Sequence, residues 1–314
     1  MPGIPVAGGF LKISGFTIAR NAVRFAYPLE ASIRSLLPLV DELVVALGDS
    51  DDGTADLVAG IKDSRILVVP TVWDMSQREA GKVLSQQTNL ALERCSGDWG
   101  LYLQADEVLH EDDLPALKAA MRTHLEDGTE GLLLRYRHFY GSFRTIQDHP
   151  RKWYTVAVRA IRLGLAVESW GDALGFRMRL PGGRVRDLRT ARAAAAVHHY
   201  GWVRPPHVML EKQRNLDRFY HDEEWLSAEY REREQRVRDF YADRGNLIFF
   251  TGSHPKVMAG IVAKQDWNFE HGIEKQRPDW LRHLYIALFY RFEVRLRKLR
   301  VRLRRLWDRL RRRG

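Results

Sequence analysis

Apolar and polar positions follow one another along the chain in two rhythms, short continuous apolar runs and stretches with apolar residues three or four apart. Residues 12–18 form the first continuous run and predict a buried strand. Residues 28–37 have helical spacing and lead into a second strand at 42–46. After the polar turn Gly48-Asp49-Ser50-Asp51-Asp52-Gly53-Thr54 come a helix at 54–61 and a short strand at 66–69. A long helical stretch at 76–93 ends before Ser96 and Gly97, and the strand 99–103 runs into Gln104, Ala105, Asp106 and Glu107. This alternation predicts an α/β fold with a parallel sheet and crossover helices, whose ligand sites lie beyond the carboxyl ends of the strands. Both acidic turns fall at such ends.

Beyond a helix predicted at 115–125 the pattern changes. Residues 131–143, 153–163 and 193–200 are rich in aromatic and β-branched side chains and predict antiparallel or mixed strands extending the sheet. Loops are predicted at 147–151, 169–175 and 181–189, and a helical region at 207–242. From 281 onward, Leu284, Leu288, Phe292, Leu296, Leu299, Leu303, Leu306 and Leu310 recur at steps of three or four, which predicts an amphipathic helix.

Charge changes the picture of that tail. The formal net charge is +10, yet residues 280–314 hold 13 Lys and Arg against 2 acids, leaving 37 basic and 38 acidic side chains in residues 1–279. Arginines around an apolar stripe suit an anionic membrane surface, with packing on a partner or on the body as the alternative. A charge-balanced body without an aromatic-basic motif argues against nucleic acid as a partner. Hydrophobic residues at 45% and charged residues at 29% are ordinary for a globular chain. No apolar run approaches the roughly 20 residues that span a bilayer, and the first residues lack the apolar core of a secretory signal. The single cysteine, Cys95, excludes an internal disulfide framework. The expected location is cytoplasmic, peripheral at the inner face of the cytoplasmic membrane.

The acids of the 48–54 turn suit either a helix cap or contacts to a nucleotide's ribose and base. Asp106 and Glu107 follow an apolar strand, a poor place for idle charge. Mg²⁺ or Mn²⁺ would use one or two such carboxylates and bridge to substrate phosphates. Capping of the helix that begins near Asp112 is the plainer alternative.

Taken in order, the first strand with Thr17-Ile18-Ala19-Arg20-Asn21, the turn Asp52-Gly53-Thr54, a Gln- and Asn-bearing helix, and the apolar strand ending in Gln104-Ala105-Asp106-Glu107 resemble glycosyltransferase family 2 over residues 10–215. The resemblance implies a GT-A (Rossmann-like) mixed sheet flanked by helices over residues 1–245, a connecting segment at 246–279, and the basic helix at 280–314 as a C-terminal extension. It implies that Thr17, Arg20 and Asn21 line the nucleotide pocket and that Asp49 and Asp52 meet uracil or ribose. Asn89 and Gln104 complete the implied nucleotide-sugar set. The family's acidic metal motif falls on residues 104–106, which assigns Asp106, Glu107 and a late histidine, His199, to Mg²⁺ or Mn²⁺. Two departures stand out: Leu47 and Gly48 occupy the place of a carboxylate pair, and Gln104 replaces the first acid of the metal motif.

The catalytic carboxylate base is expected at Asp172, with Glu168 and Asp148 as rivals. Arg159 and Arg162 before it resemble the basic strand that precedes the acidic acceptor-site motif in lipopolysaccharide-core relatives. Trp153, Trp170 and Tyr140 suit either stacking on a sugar or the core. Lys212 is expected on a solvated helix surface, with contact to a diphosphate as the alternative. The implied function is inverting transfer of a sugar from a nucleotide-diphosphate donor to a glycan or lipid-linked acceptor of lipopolysaccharide, capsule or exopolysaccharide type. Two other readings stay open: a nucleotidyltransferase on a similar sheet, although its glycine-rich basic loop is missing after the first strand, and a non-catalytic relative, suggested by Gln104.

Overall fold

The computed structural model describes residues 10–76, 81–147, 153–235, 237, 240–241 and 247–269; Asp148 and the basic tail lie outside the described residues. The first half follows the predicted alternation: β1 (Ile13–Ala19), α1 (Leu29–Leu36), β2 (Glu42–Gly48), α2 (Thr54–Gly60), β3 (Ile66–Thr71), α3 (Lys82–Leu92) and β4 (Trp99–Tyr102). These strands lie in the order β3-β2-β1-β4, all parallel. Strands covered on both faces read as continuous apolar runs. Leu43 and Val45 of β2 join one core with Leu29, Ile33 and Leu36 of α1, while Val44 and Ala46 join the other with Val83 and Ala91 of α3.

The second half contains β5 (Glu107–Leu109), α4 (Leu114–Thr123), β6 (Gly131–Tyr140), β7 (Ser142–Gln147), β8 (Val156–Arg162), β9 (Val167–Trp170), β10 (Gly175–Arg179), β11 (Val185–Asp187), β12 (Thr190–Trp202), α5 (Pro206–Asp217), α6 (Glu223–Gln235), β13 (Leu247–Phe249) and α7 (Ala259–Ala263). β8 pairs antiparallel with β4, and β6, β7 and β13 continue outward, so the sheet is mixed, with ten strands among the described residues. This is the expected GT-A arrangement. β12 branches from that path, parallel to β6 and antiparallel to β5, in a register that sets His199 opposite both His138 and Glu107. No helix among the described residues is long and apolar enough to cross a membrane.

Three spans differ from the sequence reading. The run 131–143 is two strands, because Gly141 turns the chain at φ 70°, a left-handed value that favours glycine. The spans 169–175 and 181–189, expected as loops, contain parts of β9, β10 and β11, a separate three-stranded sheet. Phe176 and Met178 alternate there with Arg177 and Arg179, a period-2 signal confined to one short strand. The connection expected at 246–279 contributes β13 to the sheet edge and buries Met258, so the folded body passes residue 245.

Candidate functional site

The loops after β1 and β2 are stitched to each other by side-chain to backbone bonds. Asn21 adopts φ 51°, a left-handed conformation that Asn tolerates. Its Oδ1 accepts from the Asp51 amide at 3.1 Å and its own amide donates to Ser50 Oγ at 3.0 Å. Asp52 Oδ2 accepts from the Arg24 amide at 2.6 Å, and Oδ1 accepts from the amide and hydroxyl of Thr54 at 3.1 and 2.6 Å, so both oxygens are committed to loop structure. Asp49 accepts from Arg20 Nε at 3.1 Å and from the Trp73 amide at 3.2 Å. Thr17 is fully buried within β1. The wall so formed, through Arg20, Asn21, Arg24 and Asp51, faces Glu211, Arg214 and Arg218 from the end of α5 across a cleft of about 670 Å³.

Asn89 is placed elsewhere. Its amide donates to the Ser169 carbonyl at 3.0 Å and accepts from the Ser169 amide at 2.8 Å. It thereby acts as an extra strand partner that pins α3 to β9, a structural role in place of the nucleotide contact expected of it. Gln104 uses its backbone, donating to Glu107 Oε2 at 3.1 Å and accepting from Ser32 Oγ at 3.1 Å.

Adjacent Asp106 and Glu107 point into different surroundings. Glu107 is fully buried, and Arg159 Nε and Nη2 reach its two oxygens at 2.9 and 2.8 Å. The Tyr136 hydroxyl adds a bond to Oε1 at 2.7 Å, and the Arg159 guanidinium lies over the Tyr102 and Tyr136 rings. A bidentate buried pair of this kind is a structural unit. It corrects the assignment of Glu107 to a cation, because the acid's charge is already matched.

Asp106 is 6% exposed. Its Oδ2 accepts from Lys212 Nζ at 3.2 Å, with Arg204 Nη2 4.0 Å away. Burial opposes its ionisation, but Lys212, then His199 and Arg204, outweigh burial and hold the carboxyl well below the usual carboxylate range. Lys212 is buried rather than solvated; burial, then Arg204, pushes it below the ordinary lysine value against the pull of Asp106. Arg204 is also buried, over the Tyr27 ring, and donates to the carbonyls of Phe25 and Gly201, which ties Asp106 to the cleft wall. Sequence reasoning missed Arg204 because nothing local distinguishes it from other arginines.

The histidines settle which atoms face Asp106. His138 Nε2 lies 2.7 Å from the Tyr154 carbonyl, which can only accept, so that nitrogen carries the proton. Burial, then the neighbouring His199, pushes His138 down to about 3, so its ring is neutral and Nδ1 is a bare acceptor. His199 Nδ1, 2.9 Å away, is therefore the donor of that bond. Burial also pushes His199 down against the pull of Asp106 and Glu107, and its Nε2 faces Asp106 Oδ1 at 3.8 Å. Two bonds of about 2.1 Å can span that gap, as divalent ions form to imidazole and carboxylate. The space exists because residue 201 is glycine: a Cβ there would lie 2.5 Å from His199 Nε2 and 3.0 Å from Asp106 Oδ2. Asp106 and His199 thus fit a divalent metal. A second group, His110, Glu111 and Asp112, brings ligand atoms within 4.8 Å of one another, but His110 Nδ1 is already bonded by the Asp112 amide.

Asp172 is exposed beyond β9 and packs against Gly81, where a Cβ would come within 2.9 Å of its own Cβ. Burial raises the Tyr154 hydroxyl first, and the charges of Glu107, Asp106 and Asp172 raise it further against the pull of Arg159. Glu168 is instead paired with Arg177 at 2.8 Å and Arg179 at 3.5 Å on the small sheet. Tyr140 and Trp153 belong to an aromatic cluster with Trp202. Trp170 is half exposed beneath Arg177.

Among solved structures, Staphylococcus aureus TarS is 14% identical, with TM-score 0.41, over 65% of this chain and 38% of that one. Its 1–349 fragment in complex with UDP is 15% identical, with TM-score 0.40, over 74% of this chain and 75% of that one. Glucosyl-3-phosphoglycerate synthase from Mycobacterium tuberculosis, in complex with Mn²⁺, UDP and phosphoglyceric acid, is 26% identical, with TM-score 0.29, over 41% of this chain and 43% of that one. The chain therefore spans less than half the length of TarS and of the synthase. No curated protein matches it. The sequence model described as glycosyl transferase family 2 matches residues 16–180, from within β1 through β10 and so across Arg20, the acidic turn and Asp106. That span is more than half of the chain, which belongs to glycosyl transferase family 2.

Proposed function

We propose that the protein transfers a sugar, with inversion, from a nucleotide-diphosphate donor to a glycan or lipid-linked acceptor. The observation that supports the reading is the 3.8 Å gap between Asp106 Oδ1 and His199 Nε2, where Gly201 leaves the space that a Cβ would fill. UDP in the complexes of the TarS fragment and of the synthase, and Mn²⁺ in that of the synthase, support the choice of donor and of a divalent ion.

Arg20, Asn21 and Asp49 line the nucleotide side, and Asp106 with His199 would hold Mg²⁺ or Mn²⁺. A divalent ion bound there neutralises charge on the leaving diphosphate. Asp172, exposed and unpaired with any arginine among the described contacts, takes the proton of the acceptor hydroxyl. The acceptor oxygen then bonds to the anomeric carbon as the bond from that carbon to the phosphate oxygen breaks, releasing the nucleoside diphosphate. The basic amphipathic tail supports an acceptor at an anionic membrane surface, the cytoplasmic face in this reading.

A thermal-shift and donor-hydrolysis panel with UDP-, GDP- and dTDP-sugars, with and without Mn²⁺, tests the reading, because a ligand of the folded state raises its stability. Metal-enhanced stabilisation by at least one donor is expected. Gly201→Ala should remove the metal enhancement without altering any ligand. Absence of stabilisation and hydrolysis with every donor overturns the proposal.

A further inference from the structure

The transfer chemistry above uses the β9–β10 turn of the small sheet and leaves the outer face of that sheet without a role. Along β9 and β10 the side chains of Val167, Phe176 and Met178 are buried, so Glu168, Trp170, Arg177 and Arg179 stand on the opposite face. β11 sets Val185 opposite Arg179 and Asp187 opposite Arg177. Trp170 is 50% exposed, with the Arg177 guanidinium over its ring. Glu168 holds Arg177 at 2.8 Å and Arg179 at 3.5 Å, and the Arg179 side chain stays 64% exposed. Arg184, on the connection from β10 to β11, is exposed and pairs with no acid among the described residues. A hollow of about 510 Å³ opens here, and its lining sets these three arginines against Glu168 alone. The same face leads to the proposed base. Gly171 and Ala173, both at φ 61°, flank Asp172 in the turn from β9 to β10. Ala173 is fully buried in that left-handed conformation, which a non-glycine residue keeps only when its surroundings impose it. From this turn β10 carries the face about 13 Å to Arg179.

We propose that the outer face of the small sheet is a subsite for an anionic glycan acceptor, with a sugar against Trp170 and a carboxylate or phosphate of a more distant unit between Arg179 and Arg184. The inference rests on the sugar-transfer reading and names the acceptor class for it. An exposed indole offers an apolar surface to a sugar, and planar guanidinium groups match the oxygens of carboxylates and phosphates. Glu168 and Asp187 stand among the cations and would be repelled by an anionic bilayer, so the face suits a polar chain in a hollow better than a membrane. Glu168 keeps Arg177 and Arg179 extended across the face, and the unpaired Arg184 supplies the uncompensated charge.

The test uses the full chain with oligogalacturonate, which carries carboxylates, with oligo(glycerol phosphate), which carries phosphates, and with neutral dextrin. Calorimetry gives the affinity and hydrogen–deuterium exchange gives the place. At least one anionic chain is expected to bind about tenfold or more tightly than dextrin, the scale of one charge-assisted hydrogen bond, and to protect residues 165–187. Arg179→Gln combined with Arg184→Gln should lose about tenfold or more of that affinity. Arg34→Gln combined with Lys62→Gln, the same change of charge on α1 and after α2, should keep it. No preference for an anionic chain, equal loss in the two double variants, or protection confined to residues 280–314 overturns the proposal. Loss of binding to phosphatidylcholine–phosphatidylglycerol vesicles in Arg179→Gln with Arg184→Gln, with glycan binding intact, also overturns it, because the face would then meet a membrane. Donor stabilisation is read separately: its failure removes the transfer reading, whereas lost glycan binding beside intact donor stabilisation removes only the acceptor subsite.

Discussion

The wall of the cleft and the Asp106 site use the same residue types in opposite ways. In the wall, Asp52, Ser50 and Thr54 are bonded largely by amides and hydroxyls of their own turn or of the loop after β1, and Asp49 by Arg20 and the Trp73 amide. At the Asp106 site, one acid is locked to Arg159 and its neighbour is left between Lys212, Arg204 and the His199 imidazole. Bonds between neighbouring strand-end loops make a surface that presents backbone and arginine to a ligand. Charge pairs drawn from distant parts of the chain into a buried interior lock Glu107 and set Asp106 among Lys212, Arg204 and His199.

The sharpest way to break that comparison is to exchange the fates of the two neighbouring acids. Glu107→Gln strips the charge from a buried pair and is expected to cost about 3–5 kcal/mol by leaving Arg159 uncompensated. The melting temperature should fall by about 10 °C, while the folded protein binds Mn²⁺ as before. Asp106→Asn should do the reverse, losing Mn²⁺ with a smaller drop in melting temperature, because the amide oxygen still accepts from Lys212. Loss of Mn²⁺ in Glu107→Gln would return Glu107 to the metal site.

Next in size is the choice of base. Asp172→Asn should lower turnover by about 100-fold, the low end of general-base catalysis, with donor affinity retained. Glu168→Gln should leave turnover near the parent value, since Arg177 and Arg179 already hold that acid on the small sheet. Steady-state kinetics with a parallel donor titration decide, and an unimpaired Asp172→Asn excludes Asp172.

Acid should loosen the histidine core before it touches the wall. Burial pushes both His138 and His198 down to about 3 in the folded protein, while the unfolded chain protonates each near about 6.5. Between those values the unfolded state binds more protons, so stability falls as pH falls, by about 1.4 kcal/mol per unit for each histidine. Thermal unfolding followed from pH 7 to pH 5 should show the decline, and a flat curve contradicts it. The smallest effect is expected at Asn89: Asn89→Ala removes two backbone bonds to Ser169 and should cost about 1–2 kcal/mol. Donor affinity in the calorimeter should not change, and a loss there would restore Asn89 to the nucleotide pocket.

Much of the first half was legible in the sequence because its signals are local. The apolar runs of β1, β2 and β4, the glycine-bounded acidic turn and the helix spacing all lie within short windows. The later strands were visible as a class, yet the hairpin at Gly141, the small sheet and the strand at 247–249 were not, because Gly, Arg and short length mask their periodicity. Asp106 was legible as an acid at a strand end, and His199 only through the family resemblance.

The sequence by itself determined the α/β order, the parallel half and the position of an acid at the end of β4, because each depends on neighbours along the chain. Only the tertiary structure decided which acid stays available. Glu107 finds Arg159 across 52 residues, Asp106 finds Lys212 across 106, and Asn89 finds Ser169 across 80. It also decided that Lys212 is buried and that Gly201 leaves a gap beneath His199. Those outcomes follow from strand register and helix docking, which set the direction of each side chain and the dielectric around it, and no local pattern of residue types encodes either.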